Sequence, residues 1–259
     1  MTRERLIDVV FVVAAGGLAL LLATGWRERA VVVAQPLVLG LALAFSVQSA
    51  AAFEPDNPVR RPWQVLSAGL LSWFLGEATE AFYLVVLGRV DPFPSPADLF
   101  FVLAYPALIA ALFLFLRTYR AASLAPESRS VTIPLVAALA VLGGVVLAPI
   151  ARSDAPFVER LVGSAYAALD LVALVPLLLL LRLTWRLRGG SVWKVWAGVL
   201  FGFLLTFLGD VFFAYFQTRA EADLGALSGR LEFLANVMFL LSYIVIARGI
   251  LHQRELLRA

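Results

Sequence analysis

Runs of about twenty apolar residues recur along almost the whole chain, and each is long enough to cross a hydrocarbon core of about 30 Å as an α-helix. Inside hydrocarbon every backbone N–H and C=O must be paired within the segment, so the helix is imposed rather than chosen. Eight such runs are expected, near residues 6–25, 31–52, 64–87, 97–116, 132–150, 159–181, 193–217 and 231–250. The fold class is therefore all-α integral membrane, with residues 1–259 forming a single membrane domain. The hydrophobic content of 62% lies well above the roughly half-apolar make-up of soluble domains. The stretches between runs, about a dozen residues at most, are too short to bury a core of their own. The first run follows Met1-Thr2-Arg3-Glu4-Arg5 and exceeds the roughly 7–15 apolar residues of a signal peptide, so it reads as a retained helix.

Several chemistries are excluded by composition. Cysteine is absent, which removes disulfides, thiolate metal sites and cysteine nucleophiles. The single histidine, His252, stands beyond the last run, so bis-histidine haem, histidine zinc clusters and histidine general-base chemistry in the membrane are excluded as well. No cofactor, no metal and no catalytic residue is expected. The net charge of +3 comes from basic residues scattered over loops and helix ends, where they act as topology signals and not as a nucleic-acid surface.

Fourteen of the 21 Lys and Arg residues fall on one side of an eight-span chain, which places both termini in the cytoplasm and the loops 88–96 and 218–230 outside. Twenty arginines against one lysine suggest a GC-rich bacterial genome, hence a multi-pass protein of the inner membrane. That one lysine, Lys194, sits beside Trp193 and Trp196 and reads as an interfacial anchor, not as a retinal Schiff base.

An internal repeat is expected. Sliding the chain by 133 residues aligns Trp63 with Trp196, Gly69 with Gly202, Phe74-Leu75-Gly76 with Phe207-Leu208-Gly209, and Glu77 with Asp210. The match is ungapped over 21 residues. Two tandem four-helix units follow, residues 1–120 and 121–259, and an even number of spans per unit makes them parallel, with polar sites expected where the halves meet. The glycines at 69, 76, 202 and 209 read as points of close helix contact.

Acids are the unusual content of these helices. Glu77 lies 14 residues into the third run, about 21 Å from its cytoplasmic end, with Glu80 on the same face and Tyr83 next along it. Asp210 is its counterpart in the second unit, and Asp170 lies near the middle of the sixth run, one turn after Tyr166. A carboxylate at a helix centre costs about 2.5–3.5 kcal/mol against lipid, so these side chains must face protein or water. One reading is an outward-facing polar cavity built from Glu77, Glu80, Asp170 and Asp210 and lined by Tyr83, Tyr166 and Tyr215, holding a cation, a proton or a polar ligand. The other has the same acids hydrogen-bonded to tyrosines, Thr79, Gln48 or Gln217 as links between helices. Asp98 is a third candidate, although Ser95-x-x-Asp98 with Pro96 at the first helical position is also a capping box.

Taken together, Trp63-x5-Gly69-x6-Gly76-Glu77, the turn Pro94-Ser95-Pro96-Ala97-Asp98-Leu99-Phe100 and Tyr105-Pro106 resemble the amino-terminal multi-helix membrane region of bacterial GGDEF and EAL signalling proteins. The resemblance is strongest over residues 60–117 and weaker over 193–250. It implies a sensory or membrane-anchoring module, with Glu77 and Asp98 as the matching acids. No GGDEF, EAL or kinase segment occurs within the 259 residues, so cyclic di-GMP synthesis is not expected; the chain is either a stand-alone relative or a piece of a longer protein.

Three functions compete. The first is a non-enzymatic sensor or scaffold whose cavity takes a cation or small polar ligand and whose carboxyl end signals to a cytoplasmic or membrane partner. The second is a small-solute or cation/proton-coupled transporter, and the third a structural subunit of a larger complex. The lipid bilayer is the one certain partner, and a homo-oligomer stays open.

Overall fold

The computed structural model describes residues 27–89, 92–121, 129–217 and 226–256. Seven α-helices fill them: α1 (Arg27–Ala51), α2 (Arg60–Val85), α3 (Pro96–Ala121), α4 (Arg129–Ala151), α5 (Phe157–Leu183), α6 (Ser191–Gln217) and α7 (Ala226–Leu256). A 3-10 turn, Trp185–Leu187, links α5 to α6, and no strand occurs among the described residues. These helices correspond to the second to eighth expected runs; the first, 6–25, lies outside the described residues. Six of the seven are long and apolar enough to cross a membrane. The exception is α2, whose apolar character is diluted by Gln64, Glu77 and Glu80.

Helix neighbours close into a ring. α1 packs on α2, α2 on α3, α3 on α5, α5 on α6, α6 on α7, and α7 back on α1. α4 stands outside the ring, mainly against α5. Only 11% of its apolar window is buried, against 56% for α5, so α4 is the helix with most surface left for lipid.

Small residues set the closest crossings. A Cβ on Gly69 would fall 2.7 Å from Leu108 and one on Gly76 2.5 Å from Phe101, so the α2–α3 contact exists because those side chains are missing. The α6–α7 contact is built likewise, with Gly202 against Ile246, Gly209 against Phe239 and Gly198 against Gly249. The glycines expected to mark close contact do so. Inside the ring Trp73 touches Tyr105, Phe203 and Tyr243, with ring centroids 5.5–6.1 Å apart. Nearer the other end, Phe115 lies between Trp63 and Trp196, both fully buried. Lys194 is exposed, which suits the anchor reading.

This packing predicts that Gly202→Ala destabilises the fold by about 1–3 kcal/mol, because the new methyl meets the Ser242 carbonyl at 2.9 Å and the helices must part. Gly144→Ala in α4, with nothing within 4 Å, should leave stability unchanged or raise it slightly. Thermal unfolding in detergent compares the two.

Candidate functional site

A cavity of about 300 Å³ occupies one end of the ring interior, between the carboxyl-terminal halves of α2 and α6 and the amino-terminal halves of α3 and α7. Antiparallel neighbours bring these halves together: Gly76 of α2 meets Phe101 of α3, and Gly209 of α6 meets Phe239 of α7. Among the described residues the wall carries five carboxyl side chains, Glu77, Glu80, Asp98, Asp210 and Glu232, and no Lys, Arg or His. Nine aromatic rings supply most of the remainder, among them Trp73, Tyr105, Tyr166 and Tyr243.

Two tyrosines hold the deepest acids. The Tyr243 hydroxyl on α7 donates to Glu77 Oε1 on α2 at 2.5 Å, and the Tyr105 hydroxyl on α3 donates to Asp170 Oδ1 on α5 at 2.6 Å. All four side chains are buried or nearly so, with Glu77 2% and Asp170 0% exposed. Asp210 lies on the same cavity wall as Glu77 and Tyr105. The result is two polar links across the bundle, Tyr243 to Glu77 and Tyr105 to Asp170, with Asp210 also on the wall. Glu77 Oε2 and Asp170 Oδ2 are buried without a hydrogen-bond partner.

Asp98 is held differently. Its Oδ2 accepts the Ser95 backbone N–H at 2.6 Å, Ser95 Oγ accepts the Ala97 N–H at 2.9 Å, and Pro96 begins α3, which is the expected capping box. Its other oxygen accepts the Tyr166 hydroxyl at 2.5 Å. Asp98 therefore lines the cavity with both oxygens engaged.

Of the residues singled out from sequence, Glu77, Glu80, Asp98, Tyr166 and Asp210 line the cavity. Asp170 stands just behind the wall and joins it through Tyr105. Tyr83 is not on the wall; it packs beneath the Arg89 guanidinium, 5.3 Å from the ring centre. The inward stripe of α2 runs Trp73, Glu77, Glu80, Leu84, and Tyr83 falls about 90° round the helix from its centre. The side chain of Tyr215 lies outside the described residues. Of the partners considered for the acids, Thr79 bonds instead to the Leu75 carbonyl of its own helix.

Sequence reading missed Trp73, Tyr105 and Tyr243 as site residues. A signal for the tyrosines existed: they lie 138 residues apart and pair with Phe101 and Phe239 at the same spacing. An ungapped slide by 133 passes over them.

With six helices able to span a bilayer, five of them in the ring around the acidic cavity, this is a multi-pass helical membrane protein. No protein-family model matches the chain, and no curated protein or solved structure matches it.

Removing the Tyr243 hydroxyl leaves Glu77 with no donor on either oxygen. Tyr243→Phe should destabilise by about 1–2 kcal/mol. Combining it with Glu77→Leu should cost less than the two single changes summed, because the second change removes the stranded carboxyl. Unfolding measurements on the four proteins of this cycle test the coupling.

Proposed function

We propose that the chain is a non-enzymatic membrane sensor or signalling module whose cavity takes a cation or small polar ligand. One observation carries this reading. Glu77 is buried on the cavity wall with one oxygen unpartnered, while its other oxygen holds Tyr243 of α7. A ligand engaging Glu77 therefore acts on the side chain that ties α7 to α2, and α7 is the helix that runs on to His252 and Arg254 near the carboxyl end. Binding energy that differs between two placements of α7 would become a signal at that end.

The likeness to membrane regions of GGDEF and EAL proteins supports the signalling side, with Glu77 and Asp98 both on the cavity wall. The non-enzymatic side rests on the acids' partners, which are tyrosines and a backbone N–H. In the proposed topology both termini are cytoplasmic and the cavity faces outward across a bacterial inner membrane.

The proposal includes two parallel four-helix units, residues 1–120 and 121–259. Support comes from matching neighbours: the α1–α2, α2–α3 and α3–α5 contacts recur as α5–α6, α6–α7 and α7–α1. Tyr105 and Tyr243 occupy matching places, each reaching an acid on another helix. The same correspondence favours a second reading, a solute or proton-coupled transporter, since Glu77 and its counterpart Asp210 line the same cavity at the junction of the halves.

A thermal-shift screen of purified protein against cations, lipids and small polar metabolites tests the sensor reading, with Glu77→Gln in parallel. A saturable rise in the wild-type midpoint that is absent in the variant is expected, without solute flux in proteoliposomes. Flux under an ion gradient would move the assignment to transporter. No stabilising ligand, with Glu77→Gln as stable as wild type or more so, would remove the ligand site.

A further inference from the structure

Several helix ends meet at the end of the ring away from the cavity. Phe115 near the end of α3 touches Trp63 near the start of α2 and Trp196 near the start of α6, and Gly198 of α6 meets Gly249 near the end of α7. α3 and α5 run in the same direction, since Asp98 pairs with Tyr166 and Tyr105 with Asp170, so α5 also ends here. Arg61, Arg117, Arg182, Arg186, Arg188 and Lys194 are exposed at this end. The acids Glu54 and Asp56 lie in the turn between α1 and α2, which Thr118 ties to the end of α3 by donating to the Pro58 carbonyl. Across the ring, where α5 passes into α6, the balance differs: residues 171–209 hold four cations, Arg182, Arg186, Arg188 and Lys194, and no acid.

Both helices flanking this edge are able to span the bilayer, one ending at Leu183 and the next beginning at Ser191, so the short connection between them is held at the membrane surface. Trp185 and Leu187 in that connection are 51% and 42% exposed. Gly189, at φ +86°, turns the chain so that the Trp193 ring comes back to 6.2 Å from Trp185, with Lys194 next to it. The Arg188 guanidinium lies 5.9 Å over the Trp185 ring. Exposed tryptophan beside arginine suits the depth at which headgroups meet acyl chains, where each basic residue also adds to the attraction for acidic lipid.

We propose that this edge binds an anionic phospholipid, with its headgroup phosphate among Arg182, Arg186, Arg188 and Lys194 and its acyl chains along Trp185 and Leu187. Guanidinium forks match phosphate oxygens with paired, charge-assisted hydrogen bonds. The site stands at the opposite end of the ring from the cavity and does not depend on what the cavity holds.

Native mass spectrometry of the detergent-solubilised full chain, titrated with phosphatidylglycerol and with zwitterionic phosphatidylcholine of the same acyl chains, tests this. Phosphatidylglycerol should bind at least about tenfold more tightly, and Arg186→Gln combined with Arg188→Gln should remove most of that preference. The control pair, Arg89→Gln with Arg152→Gln, removes the same charge from exposed positions at the cavity end and should leave the preference intact. If the first pair does not fold, Arg182→Gln with Lys194→Gln serves in its place. Equal binding of the two lipids, undiminished phosphatidylglycerol binding in the site variants, or an equal loss in the control pair overturns the proposal. Glycerol 1-phosphate as competitor separates a lipid from a soluble phosphate: no displacement is expected at concentrations equal to the lipid's, and full displacement there overturns the lipid assignment.

Discussion

A carboxyl group within a membrane-spanning bundle has no water to solvate it, and the arrangement of this protein follows from how that problem is met. Tyr243 and Tyr105 each donate one hydrogen bond to a buried acid on another helix. For those hydroxyls to arrive, α7 must face α2 across the ring interior and α3 must pack against α5, which brings together distant parts of the chain. The ring of six helices is the geometry that allows both at once. Tyr105, Tyr243 and Phe203 then surround Trp73 on its inner side, so the polar links and the aromatic core are supported by the same residues.

The satisfaction is incomplete. Asp98 has a donor on each oxygen, one from its own capping box and one from Tyr166, and is accounted for as structure. Glu77, a residue of the cavity wall, has one oxygen held and the other buried without a partner. Packing forces do not maintain a stranded acceptor, since an apolar side chain of similar size would be cheaper to bury.

Much of the local structure was legible in the residues. Ser95, Pro96 and Asp98 announce the start of α3 because a capping box is made within four consecutive residues and depends on nothing distant. The glycines at 69, 76, 202 and 209 announce close contact because only the absence of a Cβ permits it. Glu77 and Asp210 stood out because charge is rare in apolar helices. Tyr83 was misjudged for an equally local reason: spacing of three from Glu80 leaves a residue near the same face, yet the inward stripe continues through Leu84.

By itself the sequence determined that the chain is a bundle of apolar helices, roughly where each begins, and that a few acids inside it need partners. Lengths of apolar runs and short-range caps are properties of neighbouring residues, and hydrocarbon leaves the backbone no alternative to the helix. Only the tertiary structure decided which partners those acids take. Tyr243 is 166 residues from Glu77 and Tyr105 is 65 from Asp170, and neither separation carries a periodic signal. Helix order around the ring, the crossings at the glycines and the rotation of each helix about its axis together bring those hydroxyls into reach. They also decide that one oxygen of Glu77 is left without a donor.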